Sequence, residues 1–166
     1  MPVSPDVLFA PWRYEYLVSD KSSHCIFCEA AVSHDTDDSL VVYRGKKVFV
    51  ILNRYPYTNG HVMVAPYRHE AALSSSDPET LTELIRTVAR AEGILAAEFH
   101  TDGMNIGINL GSAAGAGVLD HYHVHVVPRW KGDTNFMTVA GGIRIVPEEL
   151  SATRRRLAPL FAGGAA

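Results

Sequence analysis

His121-Tyr122-His123-Val124-His125-Val126-Val127-Pro128-Arg129 places a histidine at every second position, three times over. In an extended strand successive side chains point to opposite faces, so the three imidazoles line one face. Tyr122, Val124 and Val126 take the other face and read as core. The plain alternative is a half-buried strand whose polar side happens to be histidine. Three such rings in register argue against it, because polar rings are seldom buried without a purpose. A metal site, a catalytic site, or both remain.

The stretch sits in a chain of 166 residues, enough for one domain with a sizeable core. Hydrophobic residues make up 47% and charged residues 20%, the balance of a soluble globular protein. The formal net charge is −3, so no global positive field would gather polyanions. A nucleic-acid role is therefore disfavoured, and a phosphate ligand would have to be met by a local site. No apolar run reaches the length of a membrane span. Met1-Pro2-Val3-Ser4-Pro5-Asp6 lacks the basic start and apolar run of a signal peptide. Two cysteines are too few for a secreted disulfide scaffold, so a cytoplasmic protein without membrane attachment is expected.

Upstream of the histidines, Gly111-Ser112-Ala113-Ala114-Gly115-Ala116-Gly117 is built of small residues. Such a loop lets backbone N–H groups converge on an anion, though a flexible hairpin connection has the same composition. Gly-Lys-Ser/Thr is absent, so it is not a P-loop. Residues 103–110 alternate: Met104, Ile106, Ile108 and Leu110 share one face, Asn105, Gly107 and Asn109 the other. An amide and a bare glycine on an open face suit a ligand that approaches the backbone, where a solvated face would carry Lys, Glu or Thr. Ser76-Asp77-Pro78-Glu79 predicts a helix start with Ser76 and Glu79 as a capping box. Leu81, Leu84, Ile85, Val88, Leu95 and Phe99 continue at helical spacing, giving a structural helix with one face on the sheet.

Residues 39–43 and 47–52 are β-rich runs around an Arg44-Gly45-Lys46 hairpin signal. After the turn cluster of residues 53–60, a third run spans residues 61–66, and Pro66 should end it. Cys25-Ile26-Phe27-Cys28 is a redox pair, half a zinc site, or two free buried thiols. The preceding residues 19–23 read as a loop rather than the strand a thioredoxin-type pair would follow. Zinc needs two further ligands, and His24, His34, His69 and His121 are all candidates by spacing. The aromatic segment of residues 9–17 is either a core-covering dock or a neighbour of the ligand. At the other end, residues 130–137 read as a loop. A last helix begins at Pro147-Glu148-Glu149-Leu150, with Leu150, Leu157 and Phe161 apolar and Arg154-Arg155-Arg156 as a solvated face. Residues 162–166 should form a disordered tail. With no internal repeat or linker, the chain reads as a single α+β domain with a mainly antiparallel sheet.

The histidine stretch resembles the signature of the histidine-triad (HIT) nucleotide hydrolase and transferase family. The resemblance covers nearly the whole chain, in family order: Pro11-Trp12-Arg13-x-Glu15-Tyr16, Cys25-Ile26-Phe27-Cys28, Leu52-Asn53-x-x-Pro56-x-x-x-Gly60-His61, Pro66-x-x-His69, Asn109-x-Gly111 and Val127-Pro128-Arg129-Trp130-x-Gly132-Asp133-x-Asn135-Phe136. The block from Trp130 to Phe136 is similar to the branch with bacterial dinucleoside-polyphosphate phosphorylases and hydrolases.

The resemblance implies a HIT-like fold with one long helix and a C-terminal helix, and a division of labour among the residues. His123 would attack the α-phosphorus of a dinucleoside polyphosphate such as diadenosine tetraphosphate, giving a nucleotidyl-histidine intermediate. His125 and His61 would contact phosphate oxygens or support the leaving group, and amides from Gly115 to Gly117 would stabilise charge. Asn53 would hold the ribose and Asn109 a phosphate or the intermediate. Arg129 or Lys131 would meet an incoming phosphate, with Trp130 in the same substrate-binding block. The family's zinc-bearing members imply Cys25, Cys28, His69 and His121 as a closed structural Zn2+ set. Mg2+ would accompany the substrate, and a homodimer is implied, in keeping with the apolar content of the long helix and C-terminal third. Relatives often carry Ser or Gln shortly before the triad. Residues 116–120 offer neither, so Ser112 or backbone amides would stand in. Phosphorolysis is the favoured outcome. The alternatives are hydrolysis of dinucleoside polyphosphates or phosphoramidates, a catalytic ion held by the three histidines, and a nucleotide-sensing module with little turnover.

Overall fold

The computed structural model of the chain describes residues 25–34, 36, 39–134 and 148–163. A short helix, α1 (Ile26–Val32), opens the described part directly at Cys25. β1 (Val41–Arg44) and β2 (Val48–Leu52) follow as an antiparallel hairpin, with an irregularity in register between Val41 and Tyr43. The turn closes through the Gly45 N–H, which donates to the Val48 carbonyl at 2.8 Å. β3 (Val62–Pro66) pairs along the whole of β2. The long helix α2 (Pro78–Phe99) crosses over to β4 (Gly103–Gly107), and β5 (Val124–Arg129) then inserts between β3 and β4. The sheet order is β1-β2-β3-β5-β4, and all pairings are antiparallel. Helix α3 (Leu150–Ala162) completes the described chain.

Both faces of the sheet are covered around its centre. On one face Val48, Val50, Leu52, Val62, Val64, Tyr122, Val124 and Val126 pack with Leu84, Val88, Ala91 and Leu95 of α2 and with Leu157 and Phe161 of α3. On the other face α1 inserts Phe27 among Val41, Phe49, Ile51, Met63 and Ala65. β2 and β3 are consequently buried at every residue. Cover on two faces replaces alternation with continuous apolar runs, even in an antiparallel sheet. Each fully buried large side chain here contributes on the order of 1.5–3 kcal/mol. Gly60 takes the chain into β3 at φ +75, and a Cβ there would stand 2.8 Å from the Phe99 ring. Only glycine meets both demands.

Several boundaries differ from the sequence reading. The cap of α2 is Asp77, whose Oδ1 accepts from the Thr80 N–H at 2.8 Å; Ser76 and Glu79 form no capping box. Ser76 lies one residue too early and turns instead toward Glu70 and Tyr122. The alternating run of residues 103–110 stays in the sheet only to Gly107, because pairing with β5 ends at Gly107↔His125. The histidine stretch is likewise a strand only from Val124, although its face alternation extends back through Tyr122 in the core. Residues 39–43 and 47–52 become the slightly shifted β1 and β2. Ile85 is 64% exposed, off the packed face of α2. Ala162 ends α3 and Gly163 caps it, so the tail does not begin at 162; residues 164–166 lie outside the described residues, as does the aromatic segment of residues 9–17. Arg155 and Arg156 are exposed, as a solvated face requires, and Arg156 adds ion pairs with Glu98 at 2.7 Å and Glu148 at 2.9 Å while lying over the Phe99 ring.

Candidate active site and metal centre

His121, His123 and His125 hang from one face of β5 and its lead-in, the face that carries α1. His121 and His123 are buried and His125 is half-buried. Each imidazole has a backbone or histidine partner that fixes which nitrogen holds the proton. For His121, Nε2–H donates to the Pro66 carbonyl at 2.9 Å, which leaves Nδ1 bare. For His123, Nδ1–H donates to the His121 carbonyl at 3.1 Å, which leaves Nε2 bare. The third ring is set through His61. Tyr57 N–H donates to His61 Nδ1 at 3.1 Å, so the His61 proton sits on Nε2 and is donated to His125 Nδ1 at 3.0 Å. His125 then carries its own proton on Nε2. The site thus offers a lone pair on His123 beside a donor on His125, whose ring stands edge-on at 4.7 Å. A single hydrogen bond fixes a tautomer because a neutral imidazole has one donor and one acceptor.

Burial keeps these rings neutral. Desolvation lowers the His121 and His123 pKa values, and with the charge of His123 it brings His125 down to about 4. A neutral imidazole is the nucleophilic form.

The second cluster begins at the bare Nδ1 of His121. Cys25 Sγ lies 3.3 Å from it and Cys28 Sγ 3.6 Å, while His69 Nδ1 stands 3.3 Å from Cys28 Sγ. One ligand atom from each of the four residues falls within 4.8 Å of all the others. Two thiols and two imidazole nitrogens are the donors of a closed tetrahedral metal site. Without an ion, burial and the neighbouring Cys25 push the Cys28 thiol up; a bound cation reverses that tendency. The Cys-x-x-Cys does open a helix, as a redox pair would, but its sulfurs face histidines. Of the spacing candidates, His69 and His121 join the cluster; His34 does not, and His24 lies outside the described residues.

The remaining candidates divide by place. Asn53 braces the turn before β3, its Oδ1 accepting from the Tyr55 N–H at 2.9 Å and its amide nitrogen 3.4 Å from His61 Nδ1. Ser112 lies in a 3-10 turn, and Gly115, at φ +80, caps it. Ser112, Gly115 and Gly117 are exposed, and Asn109 is half-buried. Arg129 and Trp130 stand at the other end of β5, Arg129 six residues or roughly 20 Å from His123. Arg129 is bound by Asp133 at 2.5 and 2.8 Å and by Asn105 at 2.6 Å, and Trp130 donates to the Phe99 carbonyl at 3.2 Å. Sequence reasoning missed Tyr57, whose N–H orders the His61–His125 relay and whose ring lies 4.6 Å from His61. It also missed Glu70, buried beneath the site. Glu70 accepts from Ser76, itself 2.6 Å from the Tyr122 hydroxyl, and its other oxygen pairs with Arg68 at 3.1 Å. Neither carried a spacing signal.

The model of the HIT domain matches residues 35–132. The chain belongs to the HIT family. A protein of Mycobacterium tuberculosis named AP-4-A phosphorylase is 40% identical over 164 residues, covering 93% of this chain and 84% of its own. The asymmetrical bis(5'-nucleosyl)-tetraphosphatase of Schizosaccharomyces pombe is 34% identical, over 76% of this chain and 65% of its own. Among solved structures, a Zn-bound histidine triad family protein from Mycobacterium smegmatis superposes with a TM-score of 0.67 at 31% identity, covering 83% of this chain and 93% of the other. The α+β fold expected from the sequence is that of the HIT family. No helix among the described residues is long and apolar enough to cross a membrane.

Proposed function

We propose that this HIT protein cleaves dinucleoside polyphosphates through His123, with phosphate as the acceptor. The observation that carries the reading is the bare Nε2 of His123, fixed by the His121 carbonyl and flanked by the Nε2–H of His125. The His123 lone pair attacks the α-phosphorus, and the bond to the bridging oxygen breaks. A polyphosphate leaves as an anion and needs no proton, so His125 hydrogen-bonds phosphate oxygen rather than surrendering its proton. The ring of the intermediate carries a positive charge, which the His121 carbonyl on Nδ1–H favours. An oxygen of inorganic phosphate then attacks phosphorus, the N–P bond breaks, and a nucleoside diphosphate departs. Water as acceptor gives a monophosphate. The phosphorylase of M. tuberculosis supports the first outcome and the tetraphosphatase of S. pombe the second. Amides of the loop holding Ser112, Gly115 and Gly117 would meet the phosphates, Asn53 the ribose and Asn109 the intermediate; Mg2+ would come with the polyphosphate, whose oxygens are hard ligands. Arg129 and Trp130 would act at the substrate's far end.

Turnover in labelled phosphate and labelled water tests the acceptor. We expect label from phosphate in a nucleoside diphosphate; label only from water leaves the hydrolase. His123→Ala should abolish the nucleotidyl adduct and reduce turnover by several orders of magnitude.

The metal is zinc in this reading, held by Cys25, Cys28, His69 and His121. A tetrahedral zinc separates its nitrogen and sulfur ligands by roughly 3.6 Å, close to the 3.3–3.6 Å between these atoms. With four protein ligands it would fix α1 to the catalytic strand and take no part in the chemistry. A homodimer is supported by β4, an edge strand that presents Ile106 at 47% exposure, and by Leu110 and Ile85, also exposed. Open apolar edges are paired or covered in stable proteins. The compartment is the cytoplasm, where thiols stay reduced and ligating.

A further inference from the structure

The metal cluster and the nucleophile share a wall. Phe27 stands between the two cysteines in sequence and is wholly buried. Its ring lies 5.2 Å from that of His121, in the cluster, and 4.6 Å from that of His123. The helix carrying it has seven residues, far below the length at which a helix holds itself, and Cys25 makes no side-chain cap bond to it. Its C-terminal end is gripped by Arg44, which donates to the carbonyls of Ala30, Ala31 and Ser33. Its N-terminal end has the cysteine–histidine cluster.

We propose that Phe27 is a positioning residue for His123, and that the Cys25/Cys28/His69/His121 cluster sets the nucleophile's ring through it. The bond from Nδ1–H to the His121 carbonyl fixes the tautomer but leaves the ring free to tilt about that bond. The tilt is set by what packs on the ring: His125 edge-on at 4.7 Å, and Phe27. A tilt of roughly 30° swings Nε2 by about 1 Å, and a misplacement of that size costs on the order of a hundredfold in rate. An ion in the cluster holds Cys25 and Cys28, hence the first turn of α1, hence Phe27. The centre that closes the fold would therefore also gate the reactivity of a ring it does not ligate.

The proposal rests on His123 as the nucleophile, and the experiment separates the two. Phe27→Leu, with metal content measured, should turn over 10- to 100-fold more slowly with KM changed by less than about threefold, since orientation acts on the chemical step. Nitrogen-15 spectra should show the His123 resonance broadened or shifted while His61 stays in place. Wild type treated with chelator below its unfolding temperature should show the same change at His123, reversed by added Zn2+. Phe27→Leu with metal bound, wild-type kcat and an unchanged His123 resonance overturns the positioning role. A fully active His123→Ala protein overturns the nucleophile itself. Should Phe27→Leu not fold, Phe27→Met is read by the same criteria; should the stripped protein unfold, the substituted, metal-bound protein decides.

Discussion

Lowering the pH from 7.5 to 5.5 reads out the electrostatics of the site. At pH 5.5 an imidazole of ordinary pKa 6.5 is roughly 9% neutral, whereas one at about 4, as for His125, is roughly 97% neutral. Desolvation moves His123 in the same direction. If His125 must be neutral, an unperturbed ring loses about tenfold of its rate over this interval and this one less than about twofold. The quantity to measure is kcat/KM for the dinucleotide, which in ping-pong order contains only the first half-reaction and the ionisations of the free enzyme. The substrate adds no titration of its own, because a phosphate chain capped at both ends lacks the second ionisation of a monoester near 6. Circular dichroism and metal content at each pH keep the comparison on folded, loaded protein, since thiolate ligands protonate in acid. Stability moves differently. His123 and His125 have folded pKa values below the unfolded 6.5, so the unfolded chain binds more protons below that pH. Stability is therefore greatest above 6.5 and declines as the pH falls from 6.5 toward about 4. The thermal midpoint should drop between pH 7.5 and 5.5 while kcat/KM stays level. A tenfold fall in kcat/KM centred near 6.5, with fold and metal intact, would refute the claim that burial keeps the rings neutral.

Three further outcomes follow from the geometry. Purified protein should contain one zinc per chain, and Cys25→Ser should lower the thermal midpoint more than it alters the acceptor chosen; metal-free protein with both thiols freely titratable would remove the assignment. Gly60→Ala should destabilise by more than about 1 kcal/mol, because φ +75 and the Phe99 ring both oppose a Cβ; an unchanged denaturation midpoint would contradict this. Light scattering should return a dimer at micromolar concentration, and Ile106→Asp should shift it toward monomer; a monomeric wild type defeats the dimer.

Much of the site was legible because its chemistry is periodic. Alternation along residues 121–126 gave the right partition, with Tyr122, Val124 and Val126 in the core and the histidines opposite. The zinc-type set was open by spacing and followed only from the resemblance; the fold assembles it from segments up to 96 residues apart. What spacing cannot show is which neighbour claims a donor. Ser76 and Asp77 are both good caps, and the choice fell to Asp77 because Glu70 and Tyr122 engage the Ser76 hydroxyl from a distance. Tyr57 orders the relay through its backbone N–H, which every residue but proline has, so no side-chain pattern announces it. Arg129 likewise gave no sign in the sequence of its two partners, Asp133 four residues on and Asn105 on the neighbouring strand.

The place of β5 within the sheet bears on how the protein comes to be folded. β1, β2 and β3 form a meander whose pairings are local, whereas the β3–β5 pairing closes a loop of about 60 residues. Loop-closure entropy makes such non-local pairings slow. During synthesis the meander and α2 can therefore gather while the histidine stretch is still on the ribosome, leaving the inner edge of β3 without its neighbour. In the proposed mechanism, reactivity at phosphorus appears only once that gap is filled. A nascent chain stalled before residue 121 presents an unpaired apolar strand, and it is in that interval, rather than after folding, that the protein is most exposed to mispairing with another copy of itself.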